Sequence, residues 1–331
     1  MKNATLRQLK VFEAVARLSS FSRAAEELHL SQPAVSIQVR KLAEHADAPL
    51  FEQLGKKVYL TAAGSELLHH SRIIIGQFEE AAAAMTLVKG TVGGELNVAV
   101  ISAGDSFLPR LLVAFVAEHA RVKLNLSVLN RAALLQQLAE NRVDLAVMGR
   151  PPVGADTLNE AFAPHPYVVV AAAGHALCSE RGISQARIAR ERFIVREKGS
   201  DNWQTLTEGF GRHAAALNIG MQIQSTETIK QAVLAGMGIS FLSMHVVAPE
   251  LRTGSLVVLD VKGFPLQLQW HVVQRRSKRL PPVAQAFRAF LLKDGARLIA
   301  EAMAGPAPAA KLRRAARSVP APQPARAPSR R

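Results

Sequence analysis

The sequence predicts two unlike parts: a small helical head that carries a two-stranded hairpin, and a larger open α/β body, with one long amphipathic helix between them. Three observations carry this prediction. The first fifty residues hold three short apolar stripes of helical spacing separated by turns; residues 61–89 hold one unbroken stripe; and from Gly93-Gly94 onward, β-rich runs alternate with helical ones. A chain of 331 residues has room for two or three folding units.

The head opens at Thr5, which stands three residues before Gln8 in capping-box spacing, and Leu6, Leu9, Phe12, Val15 and Ala16 then share one helical face. Ser19-Ser20 interrupts it. A second helix is expected over Ser22–Leu28, with Ala24, Ala25 and Leu28 inward and Arg23 and Glu27, four apart, paired on the surface. After a turn at His29-Leu30, Ser31 is a natural N-cap, and Pro33 fits because first-turn amides have no intrahelical acceptor to lose. On this third helix, Val35, Val39 and Leu42 form the core face. Gln32, Ser36 and Arg40 form a second stripe, offering an amide, a hydroxyl and a guanidinium that suit base edges and phosphates in a major groove. Ser22, Arg23, Ser31 and Pro33, at the two helix starts, are further candidate DNA contacts. The run Gln53–Leu60 reads as a hairpin with its turn at Gly55; Lys56 and Lys57 at its tip would meet backbone phosphates, which makes it a wing. The plain alternative is two solvated lysines on a turn.

Thr61 caps a helical segment reaching about Lys89, in which Leu60, Gly64, Leu67, Ser71, Ile74, Phe78, Ala81, Met85 and Val88 repeat at spacings of three and four. Such a helix is about 40 Å long. Its seam needs a partner, and pairing between protomers is the expected solution; packing onto the chain's own α/β body is the alternative. His69 and His70, adjacent on this helix, point about 100° apart and do not form an i, i+4 metal pair.

In the body, strands are expected at Glu95–Ile101, Val122–Leu129, Val143–Met148, Tyr167–Ala172, Phe193–Arg196, Ile239–Leu242 and Val257–Leu259, with a helix over Phe107–Glu118. In an open α/β sheet, ligands sit beyond the carboxyl ends of strands, against helix N-termini. The loop residues at those ends are Ser102 and Ala103, Asn130 and Arg131, Gly149 and Arg150, Ser200 and Asp201, and Thr226 and Glu227. Two arginines facing one cleft favour an anionic effector.

The net charge of +15 points to a polyanionic partner, but seven of those charges lie in residues 305–331, a Pro/Ala/Arg-rich stretch without acids, which leaves +8 for the rest. That tail is expected to be a disordered basic appendage. With 49% hydrophobic residues and no apolar run near the roughly 20 residues that span a bilayer, a membrane span is not expected. The first ten residues show no signal-peptide pattern, so a cytoplasmic location is expected. The single cysteine, Cys178, reads as a small half-buried hydrophobe and makes no multi-thiolate metal site. No Gly-x-Ser-x-Gly, His-Glu-x-x-His or P-loop pattern occurs, so no catalytic, metal or resident-cofactor site is expected. A small-molecule binding protein without a DNA role, or an enzyme using the cleft, remain the competing classes.

The residues Phe21–Ser36, Pro49-Leu50-Phe51 and Leu60–Gly64 resemble the N-terminal domain of LysR-type transcriptional regulators. Phe51–Lys57, Met148–Pro152, Ile229–Val233 and Val257–Pro265 resemble the subgroup that controls the Calvin-cycle (RuBisCO) operon. The resemblance covers about residues 5–293. It implies a winged helix-turn-helix over 1–60, a linker and dimerisation helix over 61–90, and a periplasmic-binding-protein-like effector domain over 91–304. In that domain, subdomain I spans about 91–161 and 269–304, subdomain II about 162–268. It further implies a homotetramer built as a dimer of dimers, a double-stranded DNA operator, Ser102 as an inducer contact, and an inducer that is a phosphorylated metabolite or NADPH; RNA polymerase is a further candidate partner. The chain departs from that subgroup at Gly199-Ser200-Asp201-Asn202-Trp203, where the subgroup reads Gly-Ser-Gly-Thr-Arg. An indole thus replaces a cation and a carboxylate is added, so Trp203 is expected to stack a ring or base on that side.

Overall fold

The computed structural model describes residues 1, 3–54, 57–88, 93–152, 154 and 156–304. In the head, α1 (Leu6–Leu18), α2 (Phe21–Glu27) and α3 (Gln32–Ala46) are followed by β1 (Phe51–Leu54) and β2 (Lys57–Leu60), an antiparallel pair with Phe51 opposite Leu60. Each helix start carries its capping oxygen. Thr5 accepts from the Gln8 amide while Gln8 Oε1 accepts from the Thr5 amide at 2.9 Å, and Ser20 and Ser31 accept from the amides of Arg23 and Ala34. Leu9, Phe12 and Val15 of α1 are buried, as are Ala24 and Ala25 of α2 and Val35, Val39 and Leu42 of α3. The expected Arg23–Glu27 pair does not form: Glu27 pairs with Arg17 of α1, and the Arg23 guanidinium donates to the Leu18 carbonyl. Tying α2 to the end of α1 satisfies a helix-terminal carbonyl, which the within-helix pair would leave open.

The long helix α4 (Ala62–Val88) starts at Thr61, whose hydroxyl accepts from the Gly64 amide at 2.9 Å and donates to the Pro49 carbonyl at 2.6 Å. Gly64 permits this close approach, because a Cβ there would stand 2.0 Å from the Leu50 carbonyl oxygen. The predicted seam divides. Gly64 and Ser71 are buried and Leu67 partly so, whereas Ile74, Phe78 and Met85 are exposed; Leu68, off the predicted seam, is the leucine packed among Leu9, Phe12, Leu42 and Leu50 of the head. Gly55, Lys56, Lys89 and the basic tail lie outside the described residues.

The body is one mixed seven-stranded sheet with a separate two-stranded parallel pair. Subdomain I holds β3 (Gly94–Ile101), parallel to both β4 (Val122–Leu129) and β5 (Leu145–Met148), with α5 (Leu108–Glu118) and α6 (Arg131–Ala139) between them and the terminal helix α11 (Pro282–Ala304) packed across. Two long antiparallel strands, β6 (Thr157–Ala172) and β11 (Leu266–Arg275), run side by side from this part into the next. Subdomain II adds α7 (Gln185–Ile188), β7 (Phe193–Arg196), α8 (Asp201–Phe210), β8 (Ile219–Ile223), α9 (Thr226–Leu234), β9 (Ser240–Ser243), α10 (Met244–Thr253) and β10 (Leu256–Val258). Here β9 and β10 pair with the second half of β6, and β7 pairs with β8. Both β6 and β11 therefore serve both subdomains. Separate cores follow: Leu108, Phe115, Trp270 and Phe287 belong to subdomain I, and Phe193, Phe210 and Phe241 to subdomain II.

The structure corrects several expectations. β6 begins ten residues before Tyr167, and β8 and β11 were not foreseen, although Leu266, Leu268, Trp270 and Val272 alternate as a strand should. The helix expected from Phe107 begins at Leu108, and Ser102 starts a separate 3-10 turn over Ser102–Gly104 rather than the helix itself. Among the described residues, no helix is long and apolar enough to cross a membrane.

Candidate functional site

Two surfaces carry chemistry. On the head, the face of α3 opposite its buried Val35, Val39 and Leu42 presents Gln32, Ser36 and Arg40, as the spacing predicts. Gln32 Nε2 donates to Ser36 Oγ at 3.1 Å, and the Arg40 side chain is 72% exposed with Glu44 4.0 Å away. Pro33 and Ser22 are exposed at the starts of α3 and α2, while Ser31 is occupied as the α3 cap. Arg23 is exposed but engaged with the Leu18 carbonyl. Ile37, 41% exposed on the same helix, was not foreseen; an isoleucine five positions after Gln32, off the core stripe, was its signal. Of the wing lysines, Lys56 lies outside the described residues and Lys57 opens β2.

The second surface is a narrow cleft between the subdomains, with about 410 Å³ of atom-free space that includes the open solvent at its mouth. Helix α10 begins at it after Ser243, and three further helices do as well. Asn130 caps α6, accepting from the Ala133 amide at 2.9 Å; Ser200 caps α8, accepting from the Trp203 amide at 3.1 Å; Ser225 caps α9. Their N-terminal dipoles turn positive ends towards one space. Arg196, the last residue of β7 and 5% exposed, reaches across the cleft. Its guanidinium donates to Ser102 Oγ of subdomain I at 2.8 Å, to Thr226 Oγ1 at 2.7 Å, and bidentately to Glu197 at 2.8 and 2.9 Å. From the other side, Arg131 pairs with Asp201 at 2.8 Å and also donates to the Arg150 carbonyl. Burial pushes the Asp201 carboxyl upward, and Arg131 opposes that shift.

Of the predicted effector residues, Ser102, Ala103, Asn130, Arg131, Ser200, Asp201 and Thr226 line this cavity; Gly149, Arg150, Trp203 and Glu227 do not. Trp203 follows Asp201 by two positions on α8, about 200° around the helix, so it turns to the subdomain II core, with Lys198 Nζ 5.9 Å from its ring centroid. Arg150 faces α8, donating to Thr205 at 2.9 Å and pairing with Glu208 at 2.6 Å. Glu227 pairs with Lys230 at 2.8 Å. Gly149 packs on the ring of buried His165, which a Cβ would approach to 2.6 Å. Arg196 was missed, although it ends a predicted strand and the rule that selected Arg131 would have selected it. Tyr167 and Asn202 also line the cavity.

Where β6 and β11 run side by side between the subdomains, His165 stacks on Trp270 with ring centroids 3.7 Å apart, and Trp270 Nε1 donates to His245 Nδ1 at 3.3 Å. Burial holds His165 well below the ordinary imidazole range and His245 down to about 4. On α4, His69 and His70 are exposed, and no cluster suited to a metal occurs among the described residues.

Residues 6–65 match the bacterial regulatory helix-turn-helix protein, lysR family, and residues 89–296 match the LysR substrate binding domain. The chain belongs to the LysR family. The helix-turn-helix match covers the head and the start of α4, and the LysR substrate binding domain match covers the body with its cavity. Among LysR relatives, the RuBisCO operon transcriptional regulator of Allochromatium vinosum is 48% identical over 89% of this chain and 98% of its own length. The CbbR regulator of Rhodospirillum rubrum is 44% identical over 86% of this chain and 95% of its own. Of solved structures, the Synechocystis PCC6803 CcmR regulatory domain in complex with 2-PG is 33% identical, with a TM-score of 0.58, over 60% of this chain and 96% of that one. Full-length CbnR complexed with its target DNA is 21% identical with a TM-score of 0.62 over 87% of this chain, a likeness of fold.

Proposed function

We propose that this LysR-family regulator controls genes of carbon fixation, of the RuBisCO operon type, by binding an operator through α3 and a small anionic metabolite in the cavity between its subdomains. The observation that carries the effector half is the ring of three helix N-termini with Arg131 and Arg196 around one cavity, since oriented amides and guanidinium groups together select a phosphate or carboxylate. The names of the relatives, RuBisCO operon regulators and a domain in complex with 2-PG, support the same reading. On the operator, Gln32, Ser36 and Arg40 read base edges, Ile37 packs on a thymine methyl, and the wing meets phosphates. The exposed Ile74, Phe78 and Met85 of α4 pair two protomers, and two such dimers form the DNA-bound tetramer. A ligand shifts this assembly only by binding its two arrangements unequally; Arg196, bonded to Ser102 across the cleft, is the contact an effector would rearrange. The protein acts in the cytoplasm, with no resident cofactor.

Mobility shift on the promoter upstream of the protein's own gene tests this, with and without Calvin-cycle phosphometabolites, 2-PG and NADPH. A specific shift that one of these alters is expected. Specific binding that none of them alters overturns the effector assignment, and no specific binding at low salt overturns the operator assignment.

A further inference from the structure

We propose that the Asp201 carboxylate occupies, on the Arg131 guanidinium, the place an effector's anionic group would take, so that Asp201 sets how much negative charge the cavity accepts. The inference rests on the anionic-effector reading above and goes beyond it by naming the residue that competes with the ligand. Both arginines that line the cavity are already engaged with carboxylates: Arg131 with Asp201 at 2.8 Å, and Arg196 with Glu197 through two bonds. An incoming phosphate therefore does not meet free cations. It gains Arg131 only by taking it from Asp201.

Asp201 is built for exchange rather than for a permanent pair. It is 7% exposed, yet only Oδ1 meets Arg131, while Oδ2 is buried without a hydrogen-bond partner among the described residues. A buried carboxylate with one oxygen unsatisfied is costly to keep ionised, and burial does push this carboxyl upward. The charged and titratable groups around it are Arg131 at the start of α6, Arg150 in the loop after β5, Arg196 and Glu197 at the end of β7, Tyr167 on β6 and, two turns along its own helix, Glu208. The three arginines oppose that upward shift while the cavity holds no other anion. A phosphate bound to Arg131 removes the nearest of them and adds repulsion, so Asp201 takes up a proton as the anion enters.

Isothermal titration of the full chain with 2-PG and with inorganic phosphate tests this in wild type, Asp201→Asn and Asp201→Ser. Measurements at pH 6.5 and 8.0, each in two buffers of different ionisation heat, report protons taken up. The expected result is at least tenfold tighter binding by both variants, and a proton uptake in wild type exceeding that of the variants, which report the ligand's own titration. Equal affinities and equal proton uptake in all three proteins overturn the inference and leave the anionic-effector reading standing. Weaker binding by both variants overturns it too, because Asp201 would then be an acceptor for the ligand rather than its competitor. Binding of neither probe to any of the proteins overturns both.

Discussion

Arg40 on α3 keeps 72% of its side chain in solvent with its nearest carboxylate 4.0 Å away, whereas Arg196 in the cleft is 5% exposed and bonded to Ser102, Thr226 and Glu197. The same residue type thus serves two recognition problems. A hydrated, movable guanidinium suits a long polyanion whose counterions are released on binding, a contact that weakens steeply with salt. A buried guanidinium fixed by four hydrogen bonds suits one small ligand, and because one of those bonds, to Ser102, crosses from one subdomain to the other, ligand entry is felt by both. In the proposed function, the head reads the operator and the cleft exchanges ion pairs with the effector.

The largest expected effect separates the two parts by stability. Phe12 is fully buried between α1, Leu68 and Phe51, so Phe12→Ala should cost about 3–5 kcal/mol and abolish operator binding while the body still melts cooperatively with its effector response intact. Loss of both functions would show that the parts do not fold separately. Next, Arg40→Ala should weaken operator binding by about 1–3 kcal/mol and flatten its salt dependence, with effector affinity unchanged in calorimetry.

Acidification should act on the body alone. His245 has its pKa lowered by burial to about 4, so the unfolded chain binds the proton more readily between the unfolded value and that one. Stability is full above about pH 6.5 and falls as the pH drops towards 4, by about 2 kcal/mol at pH 5 from His245. His165, lowered in the same direction, adds to the loss. Denaturant unfolding at pH 7.5 and 5.0 checks this, and His245→Asn should remove much of the difference. The smallest effect is expected at Ser102: Ser102→Ala deletes one of the Arg196 contacts and should reduce effector affinity by about 0.5–1.5 kcal/mol without moving operator affinity. An unchanged effector response would remove Ser102 from the site.

The head was readable from the sequence because its determinants are local. Thr5 with Gln8, Ser31 with its cap, and the i, i+4 stripes of α3 depend on residues within one or two turns. The cleft was only partly readable. Its residues come from the ends of β3, β7 and the starts of α6, α8 and α9, and strand-end logic finds the backbone position without the side-chain direction. Glu227 was carried in by its neighbour Thr226, which lies about 100° away on α9, and Trp203 by the motif that also contains Asp201. Arg150 was placed correctly in the chain but is drawn to Thr205 and Glu208, partners 55 and 58 residues away that no local pattern announces. Likewise, the long seam of α4 hides its division, because whether Ser71 or Phe78 is covered depends on where the head ends in space.

The central claim is that one protein holds two separable recognition surfaces, an exposed operator face on α3 and a charge-exchanging cavity between the subdomains. Operator affinity and 2-PG affinity measured side by side in wild type, Arg40→Ala and Arg196→Ala test it most directly. The account predicts a crossed result: Arg40→Ala binds operator at least tenfold more weakly and 2-PG normally, whereas Arg196→Ala binds 2-PG at least tenfold more weakly and operator normally, with no change of the operator shift on adding 2-PG. Parallel losses in both variants, or 2-PG binding untouched by Arg196→Ala, would contradict it.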